Sequence, residues 1–402
     1  MTSHTPIRPA DRASRLKVQQ TLKMARSAHA YVRGSTVQFY EWLEQQKRGT
    51  LPEGPPVWIC GDCHAGNLGP VAAMDGRVAI QVRDLDQTVI GNPAHDIIRL
   101  ALSLATAARG SDLPGVTTAH ILEQVIEGYQ AALRRDVEQI EDPPESVTAA
   151  MKQSMGRSWK HLARERLKNI KPTIPMGSKF WPLSSPEKDD IKALFKTDAL
   201  RQLAVSLRSR DDDGEIEVLD AAYWMKGCSS LGKLRMAVLV AVGKGKKKDL
   251  ALMDVKEAIA AAAPRYADQK MPKDNAERVV QGAQNLSPLL GKRMVAAKLG
   301  CHSVFVRELL PQDLKLEIES LTIDQAMKSA NFLASVVGQA HGRQLDERTR
   351  QSWADSLEKH RSKSLDAPSW LWSSVVSLIG SHEVAYLEHC RRYANEVRPS
   401  PA

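Results

Sequence analysis

Gly61-Asp62-Cys63-His64-Ala65-Gly66-Asn67 is the stretch on which the reading of this chain turns. It is a polar loop entered from a short apolar run, Val57-Trp58-Ile59-Cys60, which reads as a strand. Beyond it the turn Asp75-Gly76 leads into a second strand, Val78-Ala79-Ile80-Gln81-Val82, followed at once by Asp84-Leu85-Asp86. A strand, loop, strand unit therefore places Asp62 and Asn67 on its loop and two further carboxylates past its second strand.

Phosphoryl transfer asks for such a set: a carboxylate that orients or deprotonates the acceptor, oxygen ligands for magnesium, and a lysine on the phosphates. Asp62 and Asn67 have the Asp-x-x-x-x-Asn spacing of a kinase catalytic loop, which makes Asp62 the catalytic base and Asn67 a magnesium ligand. Asp84 is the first choice for a second magnesium ligand, with Asp86 beside it, and His64 orients the loop by hydrogen bonding. Turn capping alone accounts equally well for any one of these residues taken singly.

The lysine comes later in the chain. From Glu215 to Glu257 the texture is β-like: Ile216 and Val218, then Gly227-Cys228-Ser229-Ser230-Leu231-Gly232, then Met236 to Val242, a lysine-rich loop, and Leu250 to Val255 ending at Lys256. A glycine loop between strands, followed by a strand lysine, is how a kinase covers ATP, so Gly227, Ser229, Ser230, Gly232 and Lys256 form the expected nucleotide-binding set. Glu277, on the helix that starts near Asn275, is the best candidate for the acidic partner of Lys256. Glu257 points to the other face of its strand.

Composition sets the bounds. The 402 residues suggest two or three structural units at about 150 residues each. With 43% hydrophobic and 26% charged residues the chain is of ordinary globular type. A net charge of +9 favours anionic partners: nucleotide, an anionic acceptor, with nucleic acid left open. The run Lys244-Gly245-Lys246-Lys247-Lys248 reads as a solvated hairpin loop. No apolar run reaches the roughly 18 residues of a membrane span, and the first residues lack the apolar core of a signal peptide, so a cytoplasmic location is expected. Five cysteines, an odd number, argue for reduced thiols.

Several blocks resemble the bacterial family catalogued as domain of unknown function 2252, itself distantly related to aminoglycoside phosphotransferases and protein kinases. Gly61 to Gly69 is similar to its Gly-Asp-x-His-x-x-Asn-Phe-Gly signature, with Leu68 in place of Phe. Asp84-Leu85-Asp86-Gln87 stands for its Asp-Phe-Asp-Glu, and Lys23 to Ser27 with Arg33-Gly34 resembles its N-terminal block. Val255 to Ala258, Arg278 to Gly282 and Val306 to Leu309 match later blocks. Gly91-Asn92-Pro93-Ala94-His95-Asp96 is similar to the Gly-Asp-Pro-x-x-Asp of aminoglycoside phosphotransferases, which implies that Asp96 braces the catalytic loop. The resemblance implies an α+β, two-lobed protein-kinase-like fold, an ATP- and Mg2+-dependent phosphotransferase activity on an unidentified acceptor, and lobes in permuted order, since Asp62 precedes Lys256. Residues 1–145 would be the catalytic-loop part of a mostly helical large lobe, 146–214 a helical insertion or connection, 215–310 a small antiparallel-sheet lobe that binds ATP, and 311–402 the helical remainder of the large lobe.

Three rival readings stay open at this point. Cys60 and Cys63 form a CxxC that, with Cys301-His302, could hold zinc. Asp62-x-His64 with His95-Asp96 has the pieces of a two-metal phosphoesterase. A non-catalytic kinase-like module that binds nucleotide without transfer is the third.

Overall fold

The structure, a computed structural model, describes residues 9–109, 116–136, 142–148, 173–177, 179–206, 215–226, 232–243, 248–310, 322–358, 361–362 and 365–396. Three helices open the chain: α1 (Pro9–Met24), α2 (Ala28–Gly34) and α3 (Thr36–Glu44). The break at Gly34 is the one legible in sequence. A second falls at Ser27, whose hydroxyl caps α2 by accepting from the Ala30 N–H at 3.1 Å. β1 (Val57–Ile59) pairs antiparallel with β4 (Val89–Gly91), and β2 (Leu68–Ala72) with β3 (Val78–Val82), the latter hairpin turning at Gly76 with φ +87°. Helices α4 (Pro93–Arg109) and α5 (Val116–Arg134) follow.

A six-stranded antiparallel sheet comes next. It contains β5 (Phe180–Pro182), β6 (Ile216–Trp224), β7 (Arg235–Val242), β8 (Asp249–Glu257), β9 (Met294–Leu299) and β10 (His302–Leu309), in the order β5-β6-β7-β8-β10-β9. β7 and β8 pair from Arg235↔Lys256 to Val242↔Asp249, a hairpin as the lysine-rich loop predicts, although residues 244–247 lie outside the described ones. Period-two alternation splits the sheet into two faces. Tyr223, Met236, Val238, Met253, Val255, Val304 and Val306 form one core with α6 (Ser185–Leu194), α7 (Asp198–Val205) and Leu16 of α1. The stretch 180–205, part of the segment read from sequence as a helical insertion or connection, supplies an edge strand as well as two helices that cover the sheet, because Ile191, Leu194, Leu200 and Leu203 need an apolar face. Between β8 and β9 lie α8 (Asn275–Leu286), capped by Asp274, and the short α9 (Pro288–Gly291).

The chain closes with α10 (Ile323–Gly342), α11 (Glu347–Glu358), the strand pair β11 (Arg361–Ser362) and β12 (Leu365–Pro368), and α12 (Ser369–Glu396). α10 lies against α5 at backbone distance: a Cβ on Gly128 would sit 2.1 Å from the Asn331 carbonyl oxygen. These helices share a second, larger core with β1, β2, α4 and α8. The fold is α+β. Among the described residues no helix is long and apolar enough to cross a membrane.

Two buried histidines in this core set an acid response. Burial lowers His95 of α4 and His382 of α12 from the ordinary 6.5 to about 4. A group whose folded pKa is depressed contributes stability that is complete above 6.5 and lost as pH falls towards 4. At 1.36 kcal/mol per unit each ring accounts for about 3 kcal/mol. The urea midpoint should therefore drop steeply between pH 6.5 and pH 4, and His95→Gln should make that drop shallower. A midpoint that is flat across the window would show that neither ring is held neutral.

Candidate functional site

The loop from Gly61 to Asn67 is held in place by its backbone. Gly61 has φ +75°, and a Cβ there would sit 2.2 Å from the Gln87 carbonyl oxygen, so glycine is required. Asp96, in the first turn of α4, accepts the Cys60 N–H at 2.6 Å and the Gly61 N–H at 3.0 Å. His341 Nε2 lies 3.2 Å from the same carboxylate, the Tyr129 hydroxyl 2.9 Å from His341 Nδ1, and Trp353 Nε1 donates to that hydroxyl at 3.1 Å. A chain of buried side chains from α11 thus fixes where the loop starts, and Asp96 braces it. Tyr40 donates to the Gly61 carbonyl.

Asp62 projects from this loop, nearly buried. Arg99 of α4, 1% exposed, donates through Nε to Asp62 Oδ1 at 3.0 Å and through Nη2 to the Val32 carbonyl at 2.6 Å. Burial raises the Asp62 pKa, and Arg99 opposes it. A base with its proton affinity pushed up from the carboxylate range suits general-base work. Asn67 donates its amide to the Asp62 carbonyl at 2.8 Å, which leaves its Oδ1 as an acceptor.

Lys256 approaches from the sheet. Its side chain is 3% exposed, its Nζ is 3.1 Å from Asp84 Oδ1 and also ion-paired to Asp86, and it lies 5.9 Å from the Phe305 ring centre. Burial opposes ionisation of Asp84, but Lys256, Arg307 and Arg235 outweigh it and hold that carboxyl well below its usual range. Asp86 is pushed the other way, first by burial and then by the Asp84 charge, with Lys256 opposing. Two neighbouring carboxyls are thereby driven apart in proton affinity. On the same sheet face Arg235 grips Asp254 through Nε at 2.8 Å and Nη2 at 2.5 Å, while Arg307 reaches Asp254 at 3.3 Å and the Arg83 carbonyl at 2.8 Å. Arg278 of α8 donates to the carbonyls of Thr88, Asp86 (3.1 Å) and Ile259 (2.8 Å), so the helix stitches the 86–88 segment to the strand end after Lys256.

Asn67 with Asp62, and Lys256 with Asp84 and Asp86, are two neighbouring groups, joined where the Arg83 N–H donates to the Asn67 carbonyl at 2.8 Å and Cys60 Sγ lies 3.5 Å from the Asp84 carbonyl. Glu277 does not join them. It is exposed, and Lys256 is instead paired with Asp84 and Asp86, because α8 turns Ala276, Arg278 and Val279 inward. His64 does not orient the loop through Nδ1, which is buried without a partner. Burial, Arg33 and Arg99 lower its pKa and keep the ring neutral. Gly227, Ser229 and Ser230 lie outside the described residues, while Gly232 has φ +101°. Leu68 and Leu85, the departures from Phe, are 0% and 2% exposed core residues, and Gln87 accepts the Ala262 N–H at 2.7 Å. Cys60 and Cys63 are buried free thiols hydrogen-bonded to each other, whereas Cys301 is exposed, so these thiols do not gather as a zinc site.

Asp84, Asp86 and the Asn67 Oδ1 are oxygen donors of the kind magnesium takes. The buried Asp86 Oδ1 has no hydrogen-bond partner, which fits a cation ligand. Among the described residues no group of three or more His, Cys, Asp or Glu could hold a metal, so a carboxamide or substrate oxygens must complete any such shell. Arg99, Arg235 and Asp254 escaped the sequence reading, and Arg278 and Arg307 stood in it only inside family-like blocks, with no role assigned. The only local signal was the i, i+2 spacing of Asp254 and Lys256 on one strand face.

Neither the curated proteins nor the solved structures contain a match to this chain. The family described as "Uncharacterized protein conserved in bacteria (DUF2252)" matches residues 12–392, nearly the whole length. With the signature loop, the Asp84 segment and Lys256 all inside that span, the chain belongs to the DUF2252 family.

Proposed function

We propose that this chain is an ATP- and magnesium-dependent phosphotransferase with a kinase-like, two-lobed architecture whose lobes run in permuted order. The observation that carries the reading is the Lys256 ammonium, delivered by a buried sheet strand to Asp84 and Asp86 beside the Asp62–Asn67 loop. Further support comes from topology. Lys256 stands on the third strand of the β6-β7-β8 meander, the glycine-containing segment joins the first two strands, and α8 follows the lysine strand, as the corresponding parts do in a kinase. The two larger of three cores, one on one face of the sheet and one mainly among the helices, support two lobes.

In this reading Lys256 places a fixed positive charge on the nucleotide phosphates, and Asp62, aligned by Arg99, takes the proton of the acceptor hydroxyl. Asp84, Asp86 and the Asn67 Oδ1 would hold magnesium, which would supply charge neutralisation for the phosphate oxygens. Arg235 and Arg307 keep Asp84 ionised for that role. The two-metal phosphoesterase reading loses its ligands, because Asp96 is committed to backbone N–H groups and Asp62 to Arg99.

Thermal-shift titration with ATP tests the site. At ATP one hundred-fold above its dissociation constant the native state gains about 2.7 kcal/mol, so wild type should melt later with ATP and magnesium than without. Lys256→Met and Asp84→Asn, each compared with its own ligand-free midpoint, should lose most of that gain. Wild type unmoved by ATP, with or without magnesium, would sink the proposal.

A further inference from the structure

The loop that carries Asp62 has a second flank, opposite in character to the carboxylates beside Lys256. Arg99 holds Asp62 and the Val32 carbonyl with one guanidinium, so the next residue, Arg33 at the end of α2, is delivered next to the loop. There the Arg33 guanidinium lies against Gly66: a Cβ on Gly66 would meet Arg33 Cζ at 3.0 Å, Nη2 at 3.1 Å and Nε at 3.2 Å. Arg33 forms no ion pair and no hydrogen bond with any described residue, and its Nε is buried without a partner. Arg33 is half-buried, and its buried Nε has lost water without gaining a partner, a cost that an anion reaching it removes.

A second, independent orphan lies beside it. His64 is 5% exposed, and its Nδ1 is buried with no partner. Arg83 donates to the Gly66 carbonyl at 3.1 Å, so the same turn is fastened by a further cation. Asp62, the carboxylate of this loop, is already spent on Arg99, and nothing described neutralises Arg33.

We propose that Arg33, with His64 beside it, forms an anion-binding site on the acceptor side of Asp62, which receives the carboxylate or phosphate group of a hydroxyl-bearing acceptor. The guanidinium fork matches a planar carboxylate or a phosphate face in two parallel hydrogen bonds. An acceptor anchored there presents its hydroxyl to Asp62, four residues before Gly66. The role as acceptor anchor rests on the phosphotransferase reading, whereas the anion site itself does not.

Calorimetric titration of the full chain with inorganic phosphate, at ionic strength fixed with chloride, tests this. Wild type should bind phosphate, Arg33→Gln should bind it at least tenfold more weakly, Arg33→Lys should fall between, and Arg77→Gln, at an exposed arginine paired with Asp75, should stay within threefold of wild type. The ATP-induced thermal shift should survive in Arg33→Gln. Absence of phosphate binding by wild type, or binding by Arg33→Gln within threefold of it, overturns the site. A loss confined to Lys256→Met also overturns it, by placing the phosphate in the nucleotide site. If ATP fails to shift wild type while phosphate binding still depends on Arg33, the anion site stands and the phosphotransferase reading alone falls.

Discussion

Asp62→Asn is expected to lower ATP turnover by about a hundredfold to ten-thousandfold, the usual contribution of a positioned general base, while leaving the ATP-induced thermal shift in place. Asn is the informative substitution. Its carboxamide oxygen can still accept the Arg99 Nε bond that Asp62 Oδ1 accepts at 3.0 Å, so the loop keeps its shape while losing the base. Asp62→Ala confounds the two effects, because it strands Arg99, 1% exposed, without its counter-charge, at a cost of about 3–5 kcal/mol. Turnover measured as release of inorganic phosphate needs no knowledge of the acceptor, since water can take its place. If Asp62→Asn turns over ATP as fast as wild type, Asp62 is not the base, and Asp86, its proton affinity also raised by burial, becomes the group to test next.

What sequence could and could not show follows from how each feature is encoded. Asp62 and Asn67 share one short loop, and β3 ends just before Asp84, so their neighbourhood is written in consecutive residues. Lys256 was singled out by the order of strand, glycine loop, strand, loop, strand and lysine, and it stands at the end of β8. The partners that fix these groups are encoded otherwise. Arg99 meets Asp62 across 37 residues, and Arg278 meets the Asp86 carbonyl across 192, separations that leave no local pattern. Glu277 was misread for the same reason: the helix was found, but which charged residue faces inward depends on how α8 packs on the 86–88 segment. β2 escaped because Gly69 and Pro70 are poor strand formers and stand only in a two-stranded ribbon, where an edge tolerates them. β9, Met294–Leu299, is an edge strand with little burial contrast, so it lacks the alternation that marks a strand.

Asp254→Ala is the substitution expected to destabilise the chain most, by about 3–5 kcal/mol. Asp254 is 0% exposed and bonded by both Arg235 nitrogens and by Arg307, and the three charges sit on the sheet face beside Lys256. Truncating it leaves the Arg235 head, 6% exposed, with no carboxylate in contact. Removing both partners is a different experiment. Arg235→Met with Asp254→Leu deletes the desolvation cost of that pair, while Arg307, 15% exposed, keeps the Arg83 carbonyl, so most of the lost stability should return, as measured by guanidinium midpoints. Function should not return with it. Arg235 is one of the three cations that hold Asp84 ionised, and its removal lets the Asp84 proton affinity rise towards its ordinary value, which weakens magnesium-dependent ATP binding in the restored protein. A double variant that regains stability but keeps a weakened ATP shift would mean that the buried pair serves to tune Asp84 and Lys256, not to hold the sheet. A single Asp254→Ala that costs less than about 1 kcal/mol would mean that Arg235 finds water, and that the charged sheet face is solvated.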